Sequence, residues 1–308
     1  MSMSPMKKYD IVIIGGGPAG LSAAIYTARA GRSTLLIEKA AIGGQVINTS
    51  LVENYPGYEA ISGIELTQAM YQQAKKFGTE ELYAEVTGIE VKEGQKMVRT
   101  SQGDFTAGAV IVAGGLERQK LGVPGEAEFT GKGVSYCATC DGAFFKNKPV
   151  AMVGGGNAAI TEALELTRFA SRVTVIHRRN ELRATKIMQE KALADPKIEF
   201  LWDTIIEEIT GEAMVKTLKV KNVKTGQESA LDVAGVFVAV GFKPNTAYLQ
   251  GLVKLDDNGS IITNEKMETG APGILAAGDV RSGSIRQLIA AAGDGAVAAI
   301  SAERYLSG

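Results

Sequence analysis

One pattern occurs twice in this chain and narrows its fold more than any other feature. A short apolar run, Tyr9-Asp10-Ile11-Val12-Ile13-Ile14, leads into Gly15-Gly16-Gly17-Pro18-Ala19-Gly20 and then a helical stretch over 21–30. Near the middle, the run Pro149-Val150-Ala151-Met152-Val153 leads into Gly154-Gly155-Gly156-Asn157-Ala158-Ala159 and a helical stretch over 160–169. A second apolar run follows each time, 33–37 ending at Glu38 and 172–176 ending at His177. Gly15 lies as far from Glu38 as Gly154 lies from His177. Continuous apolar runs of this length suit parallel strands buried on both faces. Strand, glycine turn, helix and strand in that order open a doubly wound α/β domain.

Both copies continue alike. Each enters an insert with strand and turn signals, at Lys92-Glu93-Gly94 and at Lys224-Thr225-Gly226. Each insert ends in an apolar run, 110–113 before Gly114-Gly115 and 236–240 before Gly241. The expectation is an α/β protein of two Rossmann-like dinucleotide-binding domains, made by internal duplication. A chain of 308 residues suits two domains. Beyond the second copy, 273–279 reads as another short strand ending in Gly278-Asp279, followed by a small-residue helix over 286–305. This tail is expected to rejoin the first domain, which makes that domain discontinuous: 1–116 with 245–308, against 117–244 for the second. The crossings then fall near 116–119 and 243–246, where Gly115, Gly241 and Pro244 suit hinges.

Composition excludes several functions. The chain is 45% hydrophobic and 22% charged with a net charge of −1. Such balance points to neither nucleic acid nor a membrane surface. The run 11–14 is far too short to span a bilayer. The leader, residues 1–8, lacks the apolar segment of a signal peptide.

In a G-x-G-x-x-G turn the first glycine permits a sharp bend, the second lets backbone approach a pyrophosphate, and the third lets helix pack on strand. The phosphates rest on the helix N-terminus, where free N–H groups and the dipole favour negative charge. Gly15, Gly17 and Gly20 fill these positions in the first copy, and Gly154, Gly156 and Ala159 in the second. Glu38 offers a carboxylate to a ribose diol and repels a 2′-phosphate, which suits FAD or NAD. The second copy instead places His177-Arg178-Arg179 there, with Arg183 further on. Arginine forks bind phosphate through charge-assisted hydrogen bonds of about 1.5–3 kcal/mol each, so NADPH is expected over NADH. Two nucleotides fit best as one flavin and one nicotinamide. Asp279 could hold the ribityl hydroxyls of FAD, although Asp suits a helix N-cap equally well.

The only two cysteines stand in Cys137-Ala138-Thr139-Cys140, followed by Asp141. Two thiols so spaced can close into a ring disulfide and reopen, which is two-electron chemistry. Lying between two nucleotide fingerprints, the pair suggests a relay from a nicotinamide to a disulfide. Two cysteines cannot frame a chain this long. A cytoplasmic, reducing location is the default expectation, where a CxxC is catalytic or metal-binding rather than structural. Zinc wants four ligands. The CxxC and the sole histidine, His177, supply three, so no metal site is expected.

With these residues in place, the chain resembles the low-molecular-weight thioredoxin reductases along almost its whole length. The matching stretches are GGGPAG (15–20), GGQ (43–45), VENYPG (52–57), CATCD (137–141), GGGNAA (154–159), HRRNELRA (177–184), AAGD (276–279), RQ (286–287) and AAGDG (291–295). Two departures are Ala113-Gly114-Gly115, where the family usually shows Ala-Thr-Gly, and Asn157, where Asp or Ser is frequent. The resemblance implies a fold of the pyridine nucleotide-disulfide oxidoreductase type. It implies FAD contacts from Glu38, the 43–45 loop with Gly44 and Gln45, Asn54, Asp279, Arg286 and Gln287. It implies NADPH contacts from the second fingerprint and from His177, Arg178, Arg179 and Arg183. It further implies a homodimer, with Cys140 facing the flavin, Cys137 attacking the partner disulfide and Asp141 moving the proton. The dithiol lies in the expected NADPH domain, so one domain is expected to rotate on the two crossings during turnover.

Thioredoxin or a thioredoxin-like protein is the default partner. The rivals are an NADPH-dependent flavoprotein that reduces ferredoxin, a glutaredoxin-like protein, a quinone or oxygen. A dithiol oxidase would lack the nicotinamide site, and the arginine cluster speaks against it. A redox sensor without turnover is the remaining reading.

Overall fold

The first apolar run becomes β1 (Lys7–Ile14), and from Ile11 onward its alternate residues face opposite sides. Ile11 and Ile13 pack into a cluster with Leu21, Ala24 and Ala298, whereas Tyr9, Val12 and Ile14 pack with Val98, Leu249 and Ile261. A strand buried this way on both faces belongs inside a covered parallel sheet. The structure, a computed structural model, describes residues 6–49, 51–92 and 94–308. The first five residues of the leader and Glu93 of the first turn signal lie outside them.

After β1 come α1 (Pro18–Arg29), β2 (Thr34–Glu38), α2 (Gly63–Lys76), β3 (Glu80–Tyr83), β4 (Val86–Lys92), β5 (Gln95–Thr100), β6 (Gly103–Val112) and β7 (Leu116–Arg118). Then follow β8 (Val134–Ser135), the short α3 (Ala138–Asp141), β9 (Pro149–Val153), α4 (Asn157–Leu166), β10 (Arg172–Ile176), α5 (Lys186–Ala194) and β11 (Ile198–Leu201). The strands β12 (Thr204–Gly211), β13 (Val215–Asn222), β14 (Glu228–Asp232), β15 (Gly235–Val238) and β16 (Phe242–Pro244) lead back to β17 (Ile274–Ala276) and α6 (Leu288–Ser307). No helix among the described residues is long and apolar enough to cross a membrane.

The chain divides into two units, one of residues up to Glu117 with Lys243–Gly308, the other of Arg118–Phe242. In the first, the sheet order is β3-β2-β1-β6-β5-β4. Strand β6 pairs antiparallel with β5 along its first half and parallel with β17 along 110–112. A parallel core and an antiparallel meander therefore share one strand. In the second unit the order is β11-β10-β9-β15-β8, all parallel, beside an antiparallel sheet β12-β13-β14. Both units thus run third, second, first strand of the repeated plan and then onward, which is Rossmann-like topology twice over. In β9, Val150 and Met152 face α4, while Ala151 and Val153 face the β12–β13 side.

Both fingerprint helices begin earlier than the periodicity predicts, at Pro18 and Asn157 rather than at 21 and 160. The last fingerprint residues form the first helical turn, and Pro18 sits at the helix start, where a missing N–H costs nothing. Two polar clamps secure the first unit. Lys96, wholly buried, donates to the carbonyls of Gly94 and Gly108 and to the Tyr305 hydroxyl at 3.1, 2.8 and 2.9 Å, tying β5 to α6. Arg281 donates through Nε and Nη2 to Asp294 at 2.9 and 2.7 Å.

Candidate functional site

The dithiol loop is built from β8 into α3. Cys137 and Cys140 form a disulfide. Cys137 is half-buried and caps α3, and its Sγ accepts the Cys140 amide hydrogen at 3.2 Å. An N–H aimed at sulfur favours the thiolate, so this bond stabilises the Cys137 anion once the pair opens. Cys140 is exposed. The Ser135 hydroxyl donates to Asp141 Oδ2 at 2.6 Å and accepts the Cys137 amide hydrogen at 3.1 Å. The Asp141 amide donates to the Cys137 carbonyl at 3.1 Å. One serine and one aspartate thus pin both ends of the loop. Ahead of them, the buried carboxylate of Glu126 accepts from the amides of Leu121 and Gly122 and from the Tyr136 hydroxyl at 2.9, 2.7 and 2.8 Å. Burial, and then Glu126, push the Tyr136 hydroxyl up to about 12.

The second fingerprint lies in the same unit. Gly154 takes φ +144, and a Cβ there would lie 2.4 Å from the Ala239 carbonyl oxygen, so only glycine fits. The Gly155 carbonyl accepts the amides of Arg183 and Ala184 at 2.7 and 3.1 Å, and Asn157 Oδ1 accepts the Thr185 amide at 2.8 Å. These bonds fasten the 183–185 segment to the glycine turn. Arg178, Arg179 and Arg183 are exposed, and among the described residues none has an ion-pair partner. His177 sits differently from the expectation of a group standing with the arginines. It is 5% exposed, its ring lies directly under Gly155, and its Nε2 is buried without a hydrogen-bond partner. The reason is that β10 stays buried through its carboxyl end, and the chain reaches solvent only at Arg178. Burial lowers the basicity of His177.

In the first unit, Glu38 Oε2 accepts the Gly16 amide hydrogen at 2.7 Å and Oε1 accepts that of Ala40 at 2.9 Å. The carboxylate thereby locks the end of β2 to the glycine turn. The Gly43 amide donates to the Gly16 carbonyl at 2.8 Å, so the 43–45 loop lies against the same turn. Gly278 packs against Ala19, and its amide donates to Asp294 at 3.1 Å. The next residue, Asp279, accepts the Ser284 hydroxyl at 2.8 Å. Asn54 Nδ2 donates to Gln287 Oε1 at 3.2 Å. Arg286 adopts φ +54, a left-handed conformation uncommon for arginine. The structure thus brings the fingerprint together with Glu38, Gly44 and Asp279, and Asn54 together with Gln287.

Both glycine turns fit a dinucleotide. Helices α1 and α4 start without a side-chain cap and without an acid in the first turn, leaving their N–H groups for an anion. A Cβ on Gly17 would meet nothing closer than 3.9 Å, and one on Gly156 nothing within 4 Å. The second glycine of each turn therefore borders open space of the kind a pyrophosphate needs. Gly20 differs, since its Cβ would lie 1.8 Å from the Gly15 oxygen, while Ala159 fits at the equivalent place.

The sequence pattern of the pyridine nucleotide-disulphide oxidoreductases matches residues 9–295. The chain is 47% identical over 305 residues to the thioredoxin reductase of Bacillus subtilis, covering 99% of this chain and 96% of that one. The chain belongs to the pyridine nucleotide-disulphide oxidoreductases, among the thioredoxin reductases. The solved thioredoxin reductase of Lactococcus lactis is 46% identical, covers 97% of this chain and 99% of its own, and superposes with a TM-score of 0.83. That of T. acidophilum is 36% identical, covers 98% and 100%, and gives 0.81.

Four residues that hold these sites stand outside the expected set: Ser135, Glu126, Asp294 and Glu162. Glu162 of α4 accepts the Ala138 amide hydrogen at 3.3 Å, from 24 positions away in the chain. Only Asp294 left a trace in the sequence, as an acid inside a helix of small residues.

Proposed function

We propose that the chain reduces thioredoxin, or a thioredoxin-like protein, at the expense of NADPH, with FAD held in the first unit and NADPH in the second. The observation that carries this reading is a disulfide whose inner sulfur accepts an amide hydrogen, within a unit that also carries a glycine turn and three exposed arginines. Gly15, Gly17, Glu38, Gly44, Gln45, Asn54, Asp279, Arg286 and Gln287 would hold FAD. Gly154, Gly156, Arg178, Arg179 and Arg183 would hold NADPH, with His177 supporting the turn from beneath. Bound there, the flavin supplies a carrier that accepts a hydride and passes two electrons on to a disulfide.

The chain's own residues account for the thiol steps. Reduction of Cys137–Cys140 consumes two electrons and two protons. Asp141, held by Ser135, is placed to take up and return a proton within the loop. The Cys140 amide stabilises the Cys137 thiolate, which attacks one sulfur of the partner disulfide and expels the other as a thiolate. Cys140 then attacks Cys137 in the mixed disulfide, releasing the reduced partner and restoring the ring. Phe144, 75% exposed just beyond the loop, offers an apolar contact to a protein partner. A homodimer and a cytoplasmic location belong to this reading, the first by family likeness and the second because the pair needs reducing surroundings. Rotation of one unit on the two crossings belongs to it as well.

The test is a steady-state assay with NADPH, NADH, thioredoxin and a glutaredoxin. Thioredoxin reduction with NADPH, lost in Cys140→Ser while flavin reduction persists, is the expected result. Carrier reduction that survives Cys140→Ser contradicts the reading.

A further inference from the structure

A half-buried ion pair flanks Cys137 on both sides. Glu162 of α4 accepts the amide hydrogen of Ala138, the residue after Cys137, at 3.3 Å. Its other carboxylate oxygen lies 3.7 Å from Arg118 Nη1, with the two side chains only 20% and 27% exposed. Arg118 in turn donates to the carbonyl of Tyr136, the residue before Cys137. No motif of the sequence points to either residue. Asp141, the acid expected to serve the dithiol, accepts from Ser135 and touches neither member of this pair in any hydrogen bond or ion pair among the described residues.

We propose that Glu162 and Arg118 are positioning residues that set how readily Cys137 ionises. A positive charge near a thiol favours the thiolate and a negative charge opposes it. The two members of the pair therefore act on Cys137 with opposite signs, and each neutralises much of the other. Burial favours the neutral form of Glu162, while Arg118 and the Ala138 amide favour its charged form. Among the described residues, the other charged groups on these elements include Asp141 itself, Glu126 behind Tyr136, Glu117 next to Arg118 in β7, and Glu165 with its partner Arg168 at the end of α4. These stay the same when the pair is altered. The inference rests on reading Cys137–Cys140 as the working couple, and it deepens that reading.

The experiment uses the full chain with its bound flavin and the Cys140→Ser change, so that Cys137 is its only thiol. The rate of alkylation by iodoacetamide is followed against pH. Adding Glu162→Gln keeps an acceptor for the Ala138 amide but leaves Arg118 unbalanced, and the midpoint falls by at least about half a pH unit. Adding Arg118→Met leaves Glu162 unbalanced, and the midpoint rises by a similar amount. Arg118→Lys keeps the charge and leaves the midpoint near that of the parent. Midpoints that both stay put, or that move in the same direction as a loosened loop would cause, overturn the proposal. If Arg118→Met fails to fold, Glu162→Gln decides alone: a fall supports the proposal, and no change or a rise overturns it. The measurement needs neither NADPH nor thioredoxin. A protein that failed to reduce thioredoxin would therefore refute the proposed activity and leave this result intact.

Discussion

The Ser135 hydroxyl lies 2.6 Å from the Asp141 carboxylate and donates to it, so the acid of the dithiol loop is held from two positions before the first cysteine. If Asp141 moves the proton in the thiol steps, Asp141→Asn slows thioredoxin reduction by about 10²–10⁴-fold, the usual worth of a general acid–base group. Flavin reduction by NADPH, followed by stopped-flow bleaching, stays within a few-fold of wild type. An equal loss in both steps would point to damaged architecture instead.

The exposed arginines carry a prediction about coenzyme choice. Each charge-assisted bond to a 2′-phosphate contributes about 1.5–3 kcal/mol. Replacing both Arg178 and Arg179 with Ala should therefore reduce the preference for NADPH over NADH by about 10²–10⁴-fold. The ratio of kcat/KM for the two coenzymes reads this directly. A fall in both values together would mean that the arginines do not read the phosphate.

Two glycines of the first turn separate folding from binding. Gly15 takes φ +105, and a Cβ there would lie 2.4 Å from the Ala113 carbonyl oxygen. Gly15→Ala should destabilise the chain by more than about 2 kcal/mol. Gly17 has an ordinary φ of −77 and open space beside it. Gly17→Ala should leave the melting temperature of the flavin-free protein unchanged while weakening flavin retention. Tight flavin binding by Gly17→Ala would contradict the placement of FAD there.

Asp294 accepts from the Gly278 amide and twice from Arg281, with both side chains 16% exposed. Asp294→Ala strands a half-buried guanidinium. The cost should be about 2–3 kcal/mol, somewhat below that of breaking a fully buried pair. Because the same bonds position the residue before Asp279, flavin should dissociate faster from the variant. Denaturant unfolding and flavin release measure the two effects separately.

Burial of His177 makes stability depend on pH. It lowers the folded basicity, assisted by Arg183, Arg179 and Arg178 and opposed by a backbone bond at Glu181. Above about pH 6.5 the imidazole is neutral in both states and contributes nothing to the slope. Below it the unfolded chain takes up a proton that the folded chain refuses, so stability falls as pH drops toward the lowered folded value. Wild type should thus lose more melting temperature between about pH 7.5 and pH 5 than His177→Gln does. Equal losses would show that the ring titrates as it does in the unfolded chain.

Much of the fold was legible because parallel strands and glycine turns are local patterns. The apolar runs at 9–14 and 149–153 and the equal spacing to Glu38 and His177 became β1, β9 and the ends of β2 and β10. The residues that tune the dithiol were not legible. Glu162 reads as an unremarkable helix position, and only the packing of α4 beside α3 brings it to the Ala138 amide. His177 shows the same limit from the other side. Its arginine neighbours suggested a contact to the coenzyme phosphate, yet its own side chain follows the strand pattern into the interior beneath Gly155.

The central claim is that a flavin and the Cys137–Cys140 disulfide work in series. Anaerobic titration with NADPH, counting reducing equivalents per bound flavin, tests it most directly. The account predicts uptake of about two hydride equivalents in wild type and about one in Cys137→Ser, because a working disulfide takes two electrons beyond those of the flavin. Wild type that saturates at the same single equivalent as Cys137→Ser would mean that the dithiol lies outside the circuit.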